Sequence, residues 1–181
     1  MAITPLFLSQ LPITRRGLTD FTYSRYLVPY LCGYEGTALF LDADMIVRCD
    51  INEVFDFADH NAVQIVKKTE RFEWPALMLF NNPLCTELSP QFIEKYTPQN
   101  FDWGDVGELP GEYHHLVGYD APDPDAKIVH FTMGIPEFKE VEGCEFFKEW
   151  QLEKHLALRS PSWFELMGKS VHAAKVMERF K

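Results

Sequence analysis

The sequence predicts a single α/β domain, and three observations carry that expectation. Short apolar, β-compatible runs alternate along the chain with capped helical stretches, the pattern of a mixed α/β fold. No Pro-, Gly- or Ser-rich linker, internal repeat or low-complexity tract divides them. The 181 residues are 46% hydrophobic and 24% charged, ordinary globular composition with enough length to bury one substantial core. Fifteen phenylalanines predict a ring-rich core and ring-rich pocket walls.

Charge and cysteine usage narrow the function. A formal net charge of −10 disfavours a nucleic-acid groove, which needs clustered Lys and Arg. A bound cation would offset part of that charge wherever acidic residues converge. Cys32, Cys49, Cys85 and Cys144 are far apart and form no CxxC pair, so neither zinc nor dithiol chemistry is indicated. Met1–Leu11 lacks the basic start and long apolar stretch of a signal peptide, and no apolar run approaches the ~20 residues of a membrane span. A reducing, cytoplasmic setting is the expectation.

Taken in order, Ile3–Leu11 alternates weakly and predicts a short strand ending at Pro12, followed by a loop at Arg15-Arg16-Gly17. Thr19 or Asp20 would cap a helix reaching Tyr34, with Tyr23, Tyr26, Leu27, Tyr30 and Leu31 on one stripe and a kink or break at Pro29. Gly33 and Gly36 mark the turn into an apolar run, Ala38–Val47, read as a buried strand presenting Asp42 and Asp44. Asp50–Phe55 reads as a capped helical turn. Ala62–Val66 and Leu77–Phe80 read as strands separated by the charged stretch Lys67–Glu73.

Asn81-Asn82-Pro83 predicts a turn, and Ser89-Pro90 the start of a two-turn helix, Gln91–Tyr96. Residues 97–111 read as loop, Glu112–Leu116 as a helical turn carrying His114 and His115, and Asp120–Asp125 as a surface loop. Ala126–Phe131 predicts another strand, with a turn at Thr132–Pro136. Helices are expected over Cys144–Leu158 and Trp163–Phe180, divided by Ser160-Pro161-Ser162. The main domain would run 1–159, with 160–181 as a terminal helix packed on it. That helix also carries Lys169, Lys175, Arg179 and Lys181 beside its apolar residues, a pattern that suits peripheral contact with an anionic membrane.

Asp42 and Asp44 are the chemical feature. A bare Asp-x-Asp is weak evidence in a chain with 11 Asp, and Asp123/Asp125 form a second one, read as solvated loop charge. What distinguishes the first pair is its place at the end of an apolar strand, where α/β folds concentrate their ligand sites. Two carboxylates about 4 Å apart repel by about 4 kcal/mol at an effective dielectric of about 20. Such a pair is tolerated where it holds a cation or works chemically.

In one chemistry the pair helps hold Mn²⁺ or Mg²⁺, which neutralises the diphosphate leaving group of a nucleotide-activated substrate. In the other, Asp42 is a phosphorylated nucleophile and Asp44 the general acid of a haloacid-dehalogenase-like phosphohydrolase. That pattern wants Thr or Val where this chain has Ile46, and fits Lys67 and Gly104-Asp105 only loosely.

Residues 19–136 resemble the family-8-like glycosyltransferases of the GT-A fold. The likeness rests on four segments in order: Ser24-Arg25-Tyr26-Leu27 with Leu39–Val47, then Asp50–Phe55, Leu79-Phe80-Asn81-Asn82, and His130-Phe131-Thr132-Met133-Gly134. The resemblance implies a GT-A-like (Rossmann-like) domain with a mixed central sheet, N-terminally shortened and with a helical C-terminus. It implies a metal-dependent transferase moving a sugar, with retention of configuration, from a nucleotide-diphosphate donor, first a UDP-sugar, to a glycan or glycolipid.

Residue by residue, it implies Asp42, Asp44 and His130 as ligands of Mn²⁺ (or Mg²⁺). Arg25 would approach the donor sugar or diphosphate, and Asn81 would bond a sugar hydroxyl. Asp102, Asp105 and Glu108 are candidates for the acidic acceptor-facing group, with Asp105 taken as catalytic. The family's phosphate-binding Lys falls at Pro136 here, and Lys139 is its candidate substitute. His114 stands where the family carries Asn. The family's first strand and helix, which build the base pocket, would precede Ile3, so the expectation is either that Met1 is internal to a longer protein or that the base pocket is made differently. Their lack would expose a sheet edge that a second copy or a partner would cover, and keeps open a degenerate binding module without activity.

Overall fold

The computed structural model describes residues 2–17, 19–67, 76–96 and 106–158. The charged stretch 68–73, the acidic candidates Asp102 and Asp105, and the terminal helix expected over Trp163–Phe180 lie outside the described residues. The chain forms two compact units, Met1–Met133 and Gly134–Lys181. The first contains strands β1 (Thr37–Leu41), β2 (Met45–Val47), β3 (Val63–Ile65), β4 (Leu77–Asn81), β5 (Gly107–Glu108), β6 (His115–Leu116) and β7 (Ile128–His130). Its helices are α1 (Val28–Leu31), α2 (Asn52–Phe55) and α3 (Pro90–Lys95).

Two mixed sheets organise this unit. The larger has the order β1-β4-β3-β5, with β4 antiparallel to both neighbours and β5 parallel to β3. The smaller has the order β2-β7-β6, with β2 antiparallel and β6 parallel to β7. The run Ala38–Val47 is therefore not one strand. It leaves the first sheet after Leu41 and enters the second at Met45, so Asp42, Ala43 and Asp44 form the crossing.

The period-two alternation of a strand explains how the larger sheet is buried on both faces. Ala38, Phe40, Val63, Ile65, Met78 and Phe80 enter one apolar cluster, closed by Tyr26, Leu27 and Val28 from the first helical segment and Ile93 from α3. Leu39, Leu41, Val66, Leu77 and Leu79 enter the other, with Val54 of α2, Tyr113 and Ile128 of β7. Gln64 is the polar intruder, and its amide donates to the Phe57 carbonyl.

Local chemistry accounts for the helices. Ser89 caps α3, its hydroxyl accepting the Phe92 N–H at 3.2 Å, with Pro90 in the first turn. Asp50 Oδ1 accepts from both the backbone and side chain of Asn52 at the start of α2. The helix expected over residues 19–34 is broken up. Ser24–Leu27 winds as 3₁₀, and only Val28–Leu31 is α-helical. Pro29 sits in the first turn of α1, where its missing N–H costs nothing, and the segment before it takes the tighter winding.

Ile3–Leu11 is not a strand. It holds only a 3₁₀ turn at Leu8–Gln10, has no β partner among the described residues, and leaves Ile3 88% exposed. The helical turn expected through His114 and His115 stops at Tyr113, after which β6 extends because it pairs with β7. Within the loop after β6, Asp120 Oδ2 accepts the Leu116 N–H at 2.7 Å. The second unit carries a 3₁₀ turn, Lys139–Val141, and a helix α4, Phe147–Leu158. α4 starts three residues later than expected, after Phe146 takes the left-handed conformation (φ 59°). All four cysteines are free, and burial pushes the Cys85 thiol up to about 11.

Candidate metal centre

The crossing between the sheets fixes both aspartates from the backbone. The Asp42 N–H donates to the Ala76 carbonyl at 2.9 Å, extending the β1–β4 ladder by one residue. The Asp44 carbonyl accepts the Phe131 N–H at 3.0 Å, tying it to the end of β7. His130 is the last residue of β7 and lies opposite Met45. Strand pairing thus brings residue 130 beside residue 44.

One donor atom from each of Asp42, Asp44 and His130 lies within 4.8 Å of the other two. His130 Nε2 stands 3.3 Å from Asp44 Oδ1. The 4.8 Å spread is within reach of a single small divalent cation, which the three residues would hold. Two carboxylates and an imidazole suit Mn²⁺ well and Ca²⁺ poorly, so the residues fit the group.

Arg25 supplies the positive charge on the other side. One of its terminal nitrogens lies 3.1 Å and 3.2 Å from the two oxygens of Asp42, and its guanidinium carbon lies 5.3 Å from the centre of the Phe40 ring. Both partners are largely buried, with side chains 11% and 18% exposed. Burial pushes the Asp42 carboxyl above the usual carboxylate range, and Asp44 adds to this, against the opposing pull of Arg25 and His130. For Asp44, burial pulls upward too but is outweighed by the hydrogen bond and charge of His130, so its carboxyl is lowered.

Behind His130 lies a second imidazole. His114 Nε2 is 3.0 Å from His130 Nδ1, with the ring planes at a 17° angle and centres 5.2 Å apart, so the rings meet edge to edge. Parallel pairing explains the approach. Leu116 of β6 stands opposite His130, and His114, two residues upstream, falls on the same face. No spacing in the sequence reveals this contact, since it arises only when β6 and β7 pair.

Asn81 does not join this group. Asn81 is opposite Thr37, at the far end of the β1–β4 ladder from Asp42, about 16 Å away along extended chain. Its side-chain amide donates to the Asp59 carbonyl at 3.1 Å. Ala76, the residue before β4, adjoins Asp42. Glu108 is exposed on β5, and Lys139 is an exposed residue of the second unit.

Solved structures of similar shape include the bifunctional glycosyltransferase WbbM, with a TM-score of 0.58 at 16% identity over 93% of this chain and 39% of that one. They also include the glycosyltransferase GlyE of Streptococcus pneumoniae TIGR4 (0.57, 19% identity, 89% and 47%) and an active-site mutant of LgtC (0.55, 14% identity, 87% and 74%). The fold is GT-A-like. The chain spans less than half the length of WbbM and GlyE. Among curated proteins, Protein CDI of Arabidopsis thaliana is 29% identical over 82% of this chain and 72% of its own length. No protein-family model matches the chain. On this GT-A-like frame, the described residues contain no helix long and apolar enough to cross a membrane.

Proposed function

We propose that the chain is a family-8-like, metal-dependent glycosyltransferase that moves a sugar from a nucleotide-diphosphate donor to a glycan or glycolipid hydroxyl. The observation that carries this reading is the convergence of Asp42, Asp44 and His130 at the crossing between the two sheets of a GT-A-like fold. These three side chains would hold Mn²⁺ or Mg²⁺, and the ion, when bound, supplies positive charge for the departing diphosphate.

The chain's own residues set up the rest. Asp44 and His130 are held against each other, so the two ligand groups are pre-positioned. Arg25 keeps the largely buried Asp42 carboxylate paired at 3.1 Å, and the family resemblance would bring its guanidinium to the donor sugar or diphosphate. Retention of configuration, a UDP-sugar donor, and roles for Asp105 and Lys139 belong to this proposal through the family resemblance alone.

Titration calorimetry with UDP and Mn²⁺ tests it. Binding of UDP is expected in the presence of Mn²⁺ and is expected to vanish without the metal or in Asp44→Ala. UDP binding that ignores Mn²⁺, or no binding at all, overturns the reading. Release of phosphate from an aryl phosphate, abolished by Asp42→Asn, would replace it with the phosphohydrolase.

A further inference from the structure

The crossing at residues 42–44 already has a cation beside it, the Arg25 guanidinium. One of its terminal nitrogens lies 3.1 Å from Asp42 Oδ1 and 3.2 Å from Asp42 Oδ2, so both oxygens of that carboxylate face a positive charge. The pair is largely buried, with side chains 11% and 18% exposed, and salt screens such charges much less than it screens surface ones. Arg25 is also held in place. It sits on the 3₁₀ segment Ser24–Leu27 between the buried residues Ser24 and Tyr26, with its guanidinium carbon 5.3 Å from the centre of the Phe40 ring. A guanidinium is not deprotonated in proteins, so this charge is permanent.

The same carboxylate belongs to the group of Asp42, Asp44 and His130 that could hold a metal ion. A divalent cation that takes an oxygen of Asp42 comes beside Arg25, and like charges at close range in a protein repel strongly. Counting charges leads to the same place. Two carboxylates and one guanidinium leave one net negative charge, and a bare divalent ion turns it into one net positive charge in a place largely closed to water. A diphosphate entering with the ion reverses that excess, and Arg25 attracts it where it repels the ion alone.

We propose that Arg25 is a specificity-determining residue that makes this site select a divalent cation together with a diphosphate over the cation alone. The two ligands bind as a linked pair, each tightening the other, while the chain itself holds down the binding of free metal. No movement of Arg25 is required, because a fixed charge acts oppositely on ligands of opposite sign.

The inference rests on the metal-site reading above, and the experiment separates the two. Calorimetry on the full chain measures Mn²⁺ alone, and UDP at saturating Mn²⁺, for wild type, Arg25→Gln and Arg25→Lys. Arg25→Gln removes the charge and keeps an amide donor for Asp42. It is expected to tighten Mn²⁺ alone about 10-fold and to weaken UDP about 10-fold, between the limits for a charge pair in water and one near a protein surface. Arg25→Lys keeps the charge and is expected to stay nearer wild type in both. A purely structural role would weaken both ligands together, so the opposite signs are diagnostic.

A second measurement needs no variant. Mn²⁺–pyrophosphate, which carries neither base nor sugar, is expected to bind the wild-type chain more tightly than Mn²⁺ alone. Equal affinities there, or an Arg25→Gln variant that shifts both ligands in one direction or leaves either unchanged, overturns this inference and leaves the metal site standing. A wild-type chain that binds neither Mn²⁺ nor Mn²⁺–UDP overturns both.

Discussion

β4 and β7 are the central strands of their sheets, and both are buried, yet they do different work. Leu77, Met78, Leu79 and Phe80 of β4 are each 0–1% exposed and feed the two apolar clusters from alternate faces. β7 is three residues long and ends in His130, whose two ring nitrogens meet Asp44 and His114. Apolar packing is non-directional, so β4 needs only the right pattern and volume. A buried imidazole needs particular partners at particular distances, so β7 depends on what neighbouring segments bring to it. Apolar burial concentrates in the larger sheet, and buried polar contacts at the end of the smaller one.

Three measurements would break or sharpen that division. Phe80→Ala removes a fully buried ring from the first apolar cluster and is expected to cost about 3–5 kcal/mol in denaturant unfolding. A smaller effect would mean that the larger sheet is not where stability resides. Next, Ser89→Ala removes the cap of α3 on that same cluster and is expected to cost about 1 kcal/mol, with Mn²⁺ affinity unchanged by calorimetry. A matching loss of affinity would show that the two regions are energetically joined.

The finest contrast lies between the two aspartates in the metal-free chain. The Asp44 carboxyl is lowered, so its contribution to stability is present above the unfolded value of 3.8 and is lost as pH falls through its folded value. The Asp42 carboxyl is raised, so its contribution is present below 3.8 and is lost as pH rises through its folded value. Unfolding curves from pH 3 to 7 check this, pH 7 being about three units above an ordinary carboxyl. Asp44→Asn is expected to lose stability against wild type as pH rises through this window, whereas Asp42→Asn gains. Parallel behaviour of the two variants would show that the carboxylates share one environment.

The sequence was readable where structure is local. The apolar runs at Val63–Ile65 and Leu77–Asn81, and the Ser89-Pro90 start of α3, follow from alternation and cap chemistry within a few residues. Reading failed where a segment's state depends on partners. Ile3–Leu11 has strand-like alternation but no strand beside it, and the helix expected around Pro29 yielded to a 3₁₀ winding. The convergence of Asp42, Asp44 and His130 was anticipated through family resemblance. The His114 contact needed the parallel β6–β7 pairing, and Asn81, expected to bond a sugar hydroxyl, stands at the opposite end of β4 from the end that adjoins Asp42.

One consequence follows from the crossing at residues 42–44. Asp42 is anchored by its N–H to the larger sheet and Asp44 by its carbonyl to the smaller one. An ion gripping both side chains would oppose every fluctuation that pulls the sheets apart. At a hundredfold excess over its dissociation constant it would add about 2.7 kcal/mol to such openings. Amide exchange at the ends of β1 and β7 would then slow together, and the two sheets would open as a single cooperative unit.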